Sequence, residues 1–323
     1  MRFAPKLASC ALFVVAIVGA GASRAEDYPT HPVRIVIGFG AGASADTPTR
    51  LLAQKFSDAL GQQFIVENKP GAGSNVAAEY VARAPNDGYT LFVMSVAQTN
   101  YAGMTIKPDY DVEKDFAPII HIASVPNILV VHPSLGVDNL KDLIALAKER
   151  PGQIFYGSSG IGTTTHFAGE LMNMTAGIKL VQVPYPGSAQ ALTDVVSGRI
   201  QMWMAPVSAA MPSVEKGLLK AIAVTTAQRA SIAPDVPTMA EAGLAGFDIG
   251  VWFGLVAPAG TPKPIIDKLA KIADAALKSN DVAEPLRKIG IEPIGGTPEE
   301  FARYIAAEVK KATAVATAAN IRQ

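Results

Sequence analysis

The chain has 323 residues, 28 of them basic and 28 acidic, so its formal net charge at pH 7 is zero, and 49% of it is hydrophobic. That length suggests about two domains, with enough interior for a sizeable core. No basic block offers phosphate-backbone contacts, which argues against nucleic acid as a partner.

The first residues set the compartment. MRFAPK carries two cations, LASCALFVVAIVGAGA is apolar, and Ser23-Arg24-Ala25 places small residues at the two positions a signal peptidase reads. The pattern predicts a secretory signal over residues 1–25, cleaved after Ala25. Its apolar run is shorter than the roughly 20 residues a spanning helix needs. Leu7–Cys10 has the look of a lipoprotein box, but Cys10 precedes most of the apolar stretch, so lipidation is not expected. Cleavage would remove Arg2, Lys6 and Arg24 and no acid, leaving 25 basic residues (28 less three) against 28 acidic ones. It would also remove Cys10, the single cysteine, and with it any disulfide, thiolate metal site or cysteine nucleophile.

Along the rest of the chain, short β-rich runs alternate with helical patterns. Strands are expected at Arg34–Phe39, Gln63–Asn68, Tyr89–Val96, Ile128–Pro133, Ile154–Ser159, Leu180–Tyr185, Ile200–Pro206 and Leu219–Thr226. Most are continuously apolar, as parallel strands covered on both faces are. Leu52, Phe56 and Leu60 mark one intervening helix, with Thr47 as N-cap and Pro48 at its first position. Leu140, Leu143, Ile144 and Ala147 mark another, and Ile265, Ile266, Leu269, Ile272, Ala276 and Leu277 a long amphipathic one. Thr297–Glu300 reads as a capping box. Strand–helix alternation argues for an α/β fold with parallel sheets.

The strands outnumber what one compact sheet uses, so two Rossmann-like lobes are expected. The first crossing falls near Ser124–Asn127 and the return near Val251–Pro262, where proline and glycine gather. Residues 26–126 and 252–323 then form lobe 1 and residues 127–251 lobe 2, with the C-terminal helices packed back on lobe 1. Two crossings make a hinge, and the cleft between lobes is a favoured ligand site.

Two turns stand where a ligand would sit. Gly38–Asp46 (GFGAGASAD) follows the first strand, and Gly157–His166 (GSSGIGTTTH) follows the Ile154 strand. Each leads into a helix, whose N-terminus offers unpaired N–H groups and the positive end of the dipole to an anion. Each also has a plainer reading, in which glycines serve turn geometry, Ser and Thr cap helices, and Asp46 complements a first turn. Neither turn supplies a cation, so a bound carboxylate would be held by amides, hydroxyls and water.

Enzyme motifs are weak by comparison. Gly38-x-Gly40-x-Gly42 partly matches a dinucleotide fingerprint, with Glu67 where a ribose-binding acid would stand and Ala43 in place of the third glycine. A nucleotide cofactor sits poorly with export, and no cofactor is expected. Gly157-Ser158-Ser159-Gly160-Ile161 lacks the last glycine of a hydrolase elbow. His31, His121 and His132 are scattered without metal-ligand spacing.

The ordered set YPTHPVRIVIGF, ENKPGAGSN, PNDGYTL, SVPNILVVHPSL, YGSSGIGTTTHFAGEL, VPYPGSAQALTDVVSGRI, PDVPTMAEAGL and WFGLVAPAGTP closely resembles the Bug receptors. These are the TctC-type solute-binding proteins of tripartite tricarboxylate transporters, and the likeness runs from about Tyr28 to the C-terminus. It implies a periplasmic-binding-protein fold of type II, in which two lobes close over a small organic acid. Carried onto this sequence, the first binding loop is Phe39, Ala41, Gly42, Ala43, Ser44 and Asp46. The facing loop is Ser158, Ser159, Gly162, Thr163, Thr164 and His166. Tyr185 and Pro206, at the end of the Met204-Ala205-Pro206 stretch, border the distal part of the ligand.

The first loop departs from the family's common F-P-P-G-G-x-x-D. Gly40 and Ala41 replace two prolines, and Ala43 and Ser44 change the inner face. The QMWMAP strand is apolar where many relatives carry an aspartate. Trp203 reads as core, whereas Met204 and Pro206 in the cleft would favour larger acids. The resemblance thus implies a monomeric periplasmic receptor for a small carboxylate, a dicarboxylate or an aromatic acid such as terephthalate, which hands its ligand to membrane transporter subunits. Two other readings remain open at this level: an exported enzyme using His166 and Asp46 as acid–base groups, and the ligand-binding partner of a membrane sensor.

Overall fold

The computed structural model describes residues 28–102, 108–185 and 188–321, so the expected signal and its cleavage site lie outside the described residues. In chain order the first half runs β1 (Val33–Ile37), α1 (Asp46–Leu60), β2 (Phe64–Asn68), α2 (Asn75–Ala82), β3 (Thr90–Ser95), α3 (Val96–Ala102), β4 (Phe116–Val125), β5 (Asn127–Val131) and α4 (Leu140–Glu149). Then come β6 (Phe155–Ser158), α5 (Thr164–Ala176), β7 (Val181–Pro184), α6 (Ser188–Val196), β8 (Met202–Pro206), α7 (Val207–Glu215) and β9 (Lys220–Val224). The chain closes with β10 (Val251–Pro258), α8 (Lys263–Lys278), α9 (Asn280–Lys288), β11 (Glu292–Gly295) and α10 (Pro298–Ala318). All eight expected strands form, each end within two residues of its expected place.

The strands make two sheets, ordered β11-β4-β10-β3-β1-β2 and β7-β6-β8-β5-β9. Helices cover both faces of each, giving four apolar clusters, two per lobe. The sheets are mixed rather than parallel. β1 lies parallel to β2 and β3, and β6 parallel to β7 and β8. However, β10 runs antiparallel to β3 and β4, and β5 antiparallel to β8 and β9. The cause is the crossing itself: β4 and β5 are separated by Pro126 alone yet belong to different sheets, so each sheet receives strands of both directions.

Local chemistry explains the elements that matter for the site. α1 buries Leu52, Ala53 and Phe56 against the first sheet and stops at Gly61, whose φ of 68° is left-handed. Its start differs from expectation. Asp46 is already helical and Ala45 is the N-cap, with no side-chain cap from Thr47. The capping box of α10 forms in full between Thr297 and Glu300. α8 buries seven residues from Ile265 to Leu277, and each large apolar side chain removed from water there contributes about 1.5–3 kcal/mol.

α10 does more than pack on the first lobe. Over its 21 residues, about 30 Å of helix, Phe301 and Ile305 join the first lobe's core while Ala312, Val315 and Ala316 join the second's. A helix shared in this way restrains the relative motion of the two sheets and keeps the cleft between β1 and β6 in register.

Candidate functional site: a cleft between two helix-opening turns

The first turn begins where β1 ends. Gly38 cannot carry a side chain, because a Cβ there would lie 1.8 Å from Ser74 Oγ. The turn then reverses through Gly42, at φ 80°. Asp46, 5% exposed, ties it down. Its carboxylate accepts from Gly42 N–H at 3.0 Å, Arg50 Nε at 2.9 Å and Asn68 Nδ2 at 3.1 Å. Asn68 Nδ2 also donates to Phe39 O at 2.9 Å, so one amide links the turn's two ends. The hydrogen bond from the Arg50 guanidinium holds the Asp46 carboxyl down at about 2, well below the usual carboxylate range.

The second turn follows β6. Gly160 and Gly162 take φ values of 118° and 77°, open to glycine and costly for other residues. Thr163 is a true N-cap: its hydroxyl accepts from His166 N–H at 3.4 Å and donates to Gly160 O at 2.7 Å. Thr165 Oγ1 accepts from Ser159 N–H at 2.9 Å, and Gln182 Nε2 donates to Ser158 Oγ at 2.7 Å. His166 Nδ1 accepts from Gly162 N–H at 3.2 Å, which places the proton of the neutral ring on Nε2, and burial pushes its pKa down, favouring that neutral form. α5 lies close on β6 because Gly169 leaves room for Tyr156, whose Cζ would be 2.2 Å from a Cβ there.

A cavity of about 270 Å³ opens between the two turns. Phe39, Ala43 and Ser44 line it from the first turn and Ile161, Gly162, Thr163 and Thr164 from the second. The far wall comes from the junction of β3 and α3 (Ser95, Val96, Ala97, Asn100, Tyr101), from Gly73, and from Val251 and Phe253 of β10. Among the described residues, no Lys, Arg, His, Asp or Glu side chain lines it. Among the described residues, the N–H groups of Ser44, Thr164 and Thr165 have no hydrogen-bond acceptor, so both helix starts keep donors in hand for an anion. Asn100 Nδ2 donates to Gly162 O at 3.3 Å, one hydrogen bond thrown across the cleft.

Of the fourteen residues singled out from the sequence, the structure brings Phe39, Ala43, Ser44, Gly162, Thr163 and Thr164 together around this cavity. Ala41 and Gly42 are exposed and are not among the residues lining it. Asp46, Ser158 and His166 are buried behind the turns and shape them. Ser159 Oγ faces Ser188 Oγ at 3.3 Å. Tyr185 and Pro206 are placed away from the cavity lining. The Tyr185 hydroxyl donates to Asp194 at 2.8 Å, with burial and that carboxylate pushing its pKa up to about 12, and Pro206 starts α7. Trp203 is fully buried, as its core reading expected, and so is Met204, which faces the second lobe's interior rather than the cleft.

Tyr101, Asn100, Val251 and Phe253 were not read as site residues. Ser95 and Val96 sit at the carboxyl end of a strand parallel to β1, the position where ligands collect, and that rule alone would have pointed to them. On β10, alternation turns Val251 and Phe253 to the cleft and Trp252 to the other face, where its Nε1 donates to the buried Glu308 carboxylate at 3.3 Å.

Two mixed α/β lobes, a shared helix and a cavity whose described lining is uncharged and carries helix-start amides without an acceptor among the described residues define a two-lobed solute receptor. The chain belongs to the TctC family, the tripartite tricarboxylate transporter family receptors, whose model matches residues 49–321. It is 32% identical over 313 residues to Protein BugT of Bordetella pertussis, covering 96% of each chain. Among solved structures it resembles R. palustris Rpa4515 with adipate (39% identity, TM-score 0.72, covering 91% of this chain and 99% of that one). It also resembles MatC from Rhodopseudomonas palustris with bound malate (30% identity, TM-score 0.69, covering 89% and 99%). The family consists of solute-binding receptors rather than enzymes, and its solved members include periplasmic ones.

Proposed function

We propose that this chain is a monomeric periplasmic receptor, released by cleavage after Ala25, that captures a small organic carboxylate and delivers it to the membrane subunits of a tripartite tricarboxylate-type transporter. The observation that carries the reading is the pairing of two helix-opening turns, one per sheet, across a cavity that has, among the described residues, unpaired N–H groups on both sides and no charged side chain. A carboxylate there accepts from Ser44 on one side and from Thr164 and Thr165 on the other, so the anion itself draws the lobes together. Residues 26–126 with 252–323 close against residues 127–251, flexing where the chain crosses between the sheets and along α10, whose end is packed in the second lobe.

The apolar remainder of the cavity takes the ligand's carbon body. Dicarboxylates are the favoured class, and the Phe39 and Phe253 side chains in the lining make aromatic acids such as terephthalate fitting occupants. Binding in the micromolar range needs only about −8 kcal/mol, within reach of one anion pocket plus apolar burial, and weak enough to allow release. A thermal-shift screen of the purified protein against aliphatic and aromatic mono-, di- and tricarboxylates tests this. A true ligand at about 100 times its dissociation constant stabilises by roughly 2.7 kcal/mol. A panel with no shift at all would count against the reading.

A further inference from the structure

We propose that Tyr101 is the specificity-determining residue of this cleft, reading the far end of the ligand and selecting acids that carry a second polar group across an unsubstituted spacer. The inference rests on the carboxylate-receptor reading above and deepens it.

The hydrogen-bond inventory of the lining points to this residue. Ser95 Oγ donates to Gln98 at 3.0 Å, Thr163 Oγ1 to Gly160 O at 2.7 Å, and one N–H of the Asn100 amide to Gly162 O at 3.3 Å. Three lining hydroxyls have no partner among the described residues: Ser44, Thr164 and Tyr101. Ser44 and Thr164 stand on the two turns that face the anion. Tyr101 alone of the three stands elsewhere, on α3.

Its position is fixed from both sides. The ring packs against the second lobe's core although α3 follows directly from a strand of the first sheet. The hydroxyl lies against Gly73, where an added Cβ would come within 2.7 Å of it. A held, unspent donor is what a recognition site uses to demand a particular group, because an analogue lacking that group leaves the donor unpaired.

The intervening wall decides what the spacer must be. Val96, Ala97, Val251 and Phe253 offer only apolar side-chain surface, so a hydroxyl or branching carboxylate along the ligand body would be buried against them without a side-chain partner. The class that fits is an acid with one carboxylate at the turns, a plain aliphatic or aromatic body, and a carboxylate accepting from the Tyr101 hydroxyl.

The test compares adipate with hexanoate, and terephthalate with benzoate, by titration calorimetry on wild-type protein and on Tyr101→Phe. Wild type should bind the diacid of a matched pair more tightly. Tyr101→Phe should raise that diacid's Kd about tenfold and leave the monoacid's within about twofold. An unchanged diacid-to-monoacid ratio in Tyr101→Phe, or a wild type that binds hexanoate as tightly as adipate and benzoate as tightly as terephthalate, would overturn the role of Tyr101 while leaving the receptor intact. Wild type that binds none of the four would overturn the carboxylate reading beneath it. Should Tyr101→Phe lose its folded unfolding transition, a wild type that binds each monoacid as tightly as its diacid still overturns the role of Tyr101.

Discussion

Asp46 gives the sharpest handle on how the first turn is held. Replacing it with Asn keeps the shape and removes the charge that accepts from Gly42, Arg50 and Asn68. Folding lowers the carboxyl from 3.8 to about 2, and at about 1.36 kcal/mol per pKa unit that difference is worth about 2 kcal/mol of stability at neutral pH. The sign follows from the depressed value. The contribution is complete above about pH 4, where the unfolded carboxyl is ionised, and is lost as pH falls towards 2, where the folded one takes up its proton. Urea unfolding of wild type and Asp46→Asn across pH 2–7 should show a gap of about 2 kcal/mol at neutral pH that closes between pH 4 and pH 2. Other depressed carboxylates, Asp111 and Asp274 among them, titrate in both proteins and cancel in the difference. Because the same carboxylate fixes Gly42 beside Ala43 and Ser44, ligand affinity should fall about tenfold in the variant. Equal stability at pH 7, or a gap that persists unchanged to pH 2, would refute the reasoning.

Removing the cross-cleft hydrogen bond with Asn100→Ala should leave the unliganded unfolding midpoint nearly unchanged and speed ligand dissociation several-fold, read by stopped-flow fluorescence. Thr163→Ala deletes the N-cap of α5, costing about 1 kcal/mol of stability, and should weaken binding by loosening the second turn, measured by paired unfolding and titration experiments. Trp203→Ala should cost about 3–5 kcal/mol in urea unfolding yet leave the ligand ranking intact, since the ring is wholly buried away from the cavity. Gly169→Ala drives a methyl into the Tyr156 ring and should destabilise by about 1–3 kcal/mol, with a lowered midpoint and affinity that follows the displacement of α5.

The two anion turns were legible because their chemistry is local. A continuous apolar strand, a glycine-rich reversal and a helix start lie within about fifteen residues of one another in each case. The far wall was not, for a physical reason. Val251 and Phe253 come from β10, which reaches the first sheet only after the chain has built the whole second lobe, and no short-range pattern announces that arrival. The VWFGLVAP run was visible as apolar but was read as a crossing rather than as a strand of the first sheet. QMWMAP left core and cleft both open. An unbroken apolar strand marks two covered faces without saying what covers them; here Trp203 and Met204 are covered by helices of their own lobe. β4 carries Pro118 and His121, which obscured a ten-residue strand, and β11 is too short and proline-bearing to stand out. The helix start at Asp46 rather than Pro48 shows a bond from Arg50, one turn on in the same helix, and a tertiary one from Asn68 on β2 overriding a sound local cap signal.

A crystal structure of the protein with whichever acid gives the largest thermal shift tests the central claim most directly. The account predicts a carboxylate within hydrogen-bonding distance of the Ser44 amide on one lobe and the Thr164 and Thr165 amides on the other, with no Lys or Arg side chain touching it. An acid lodged outside this cleft, or one gripped by a cationic side chain, would contradict it.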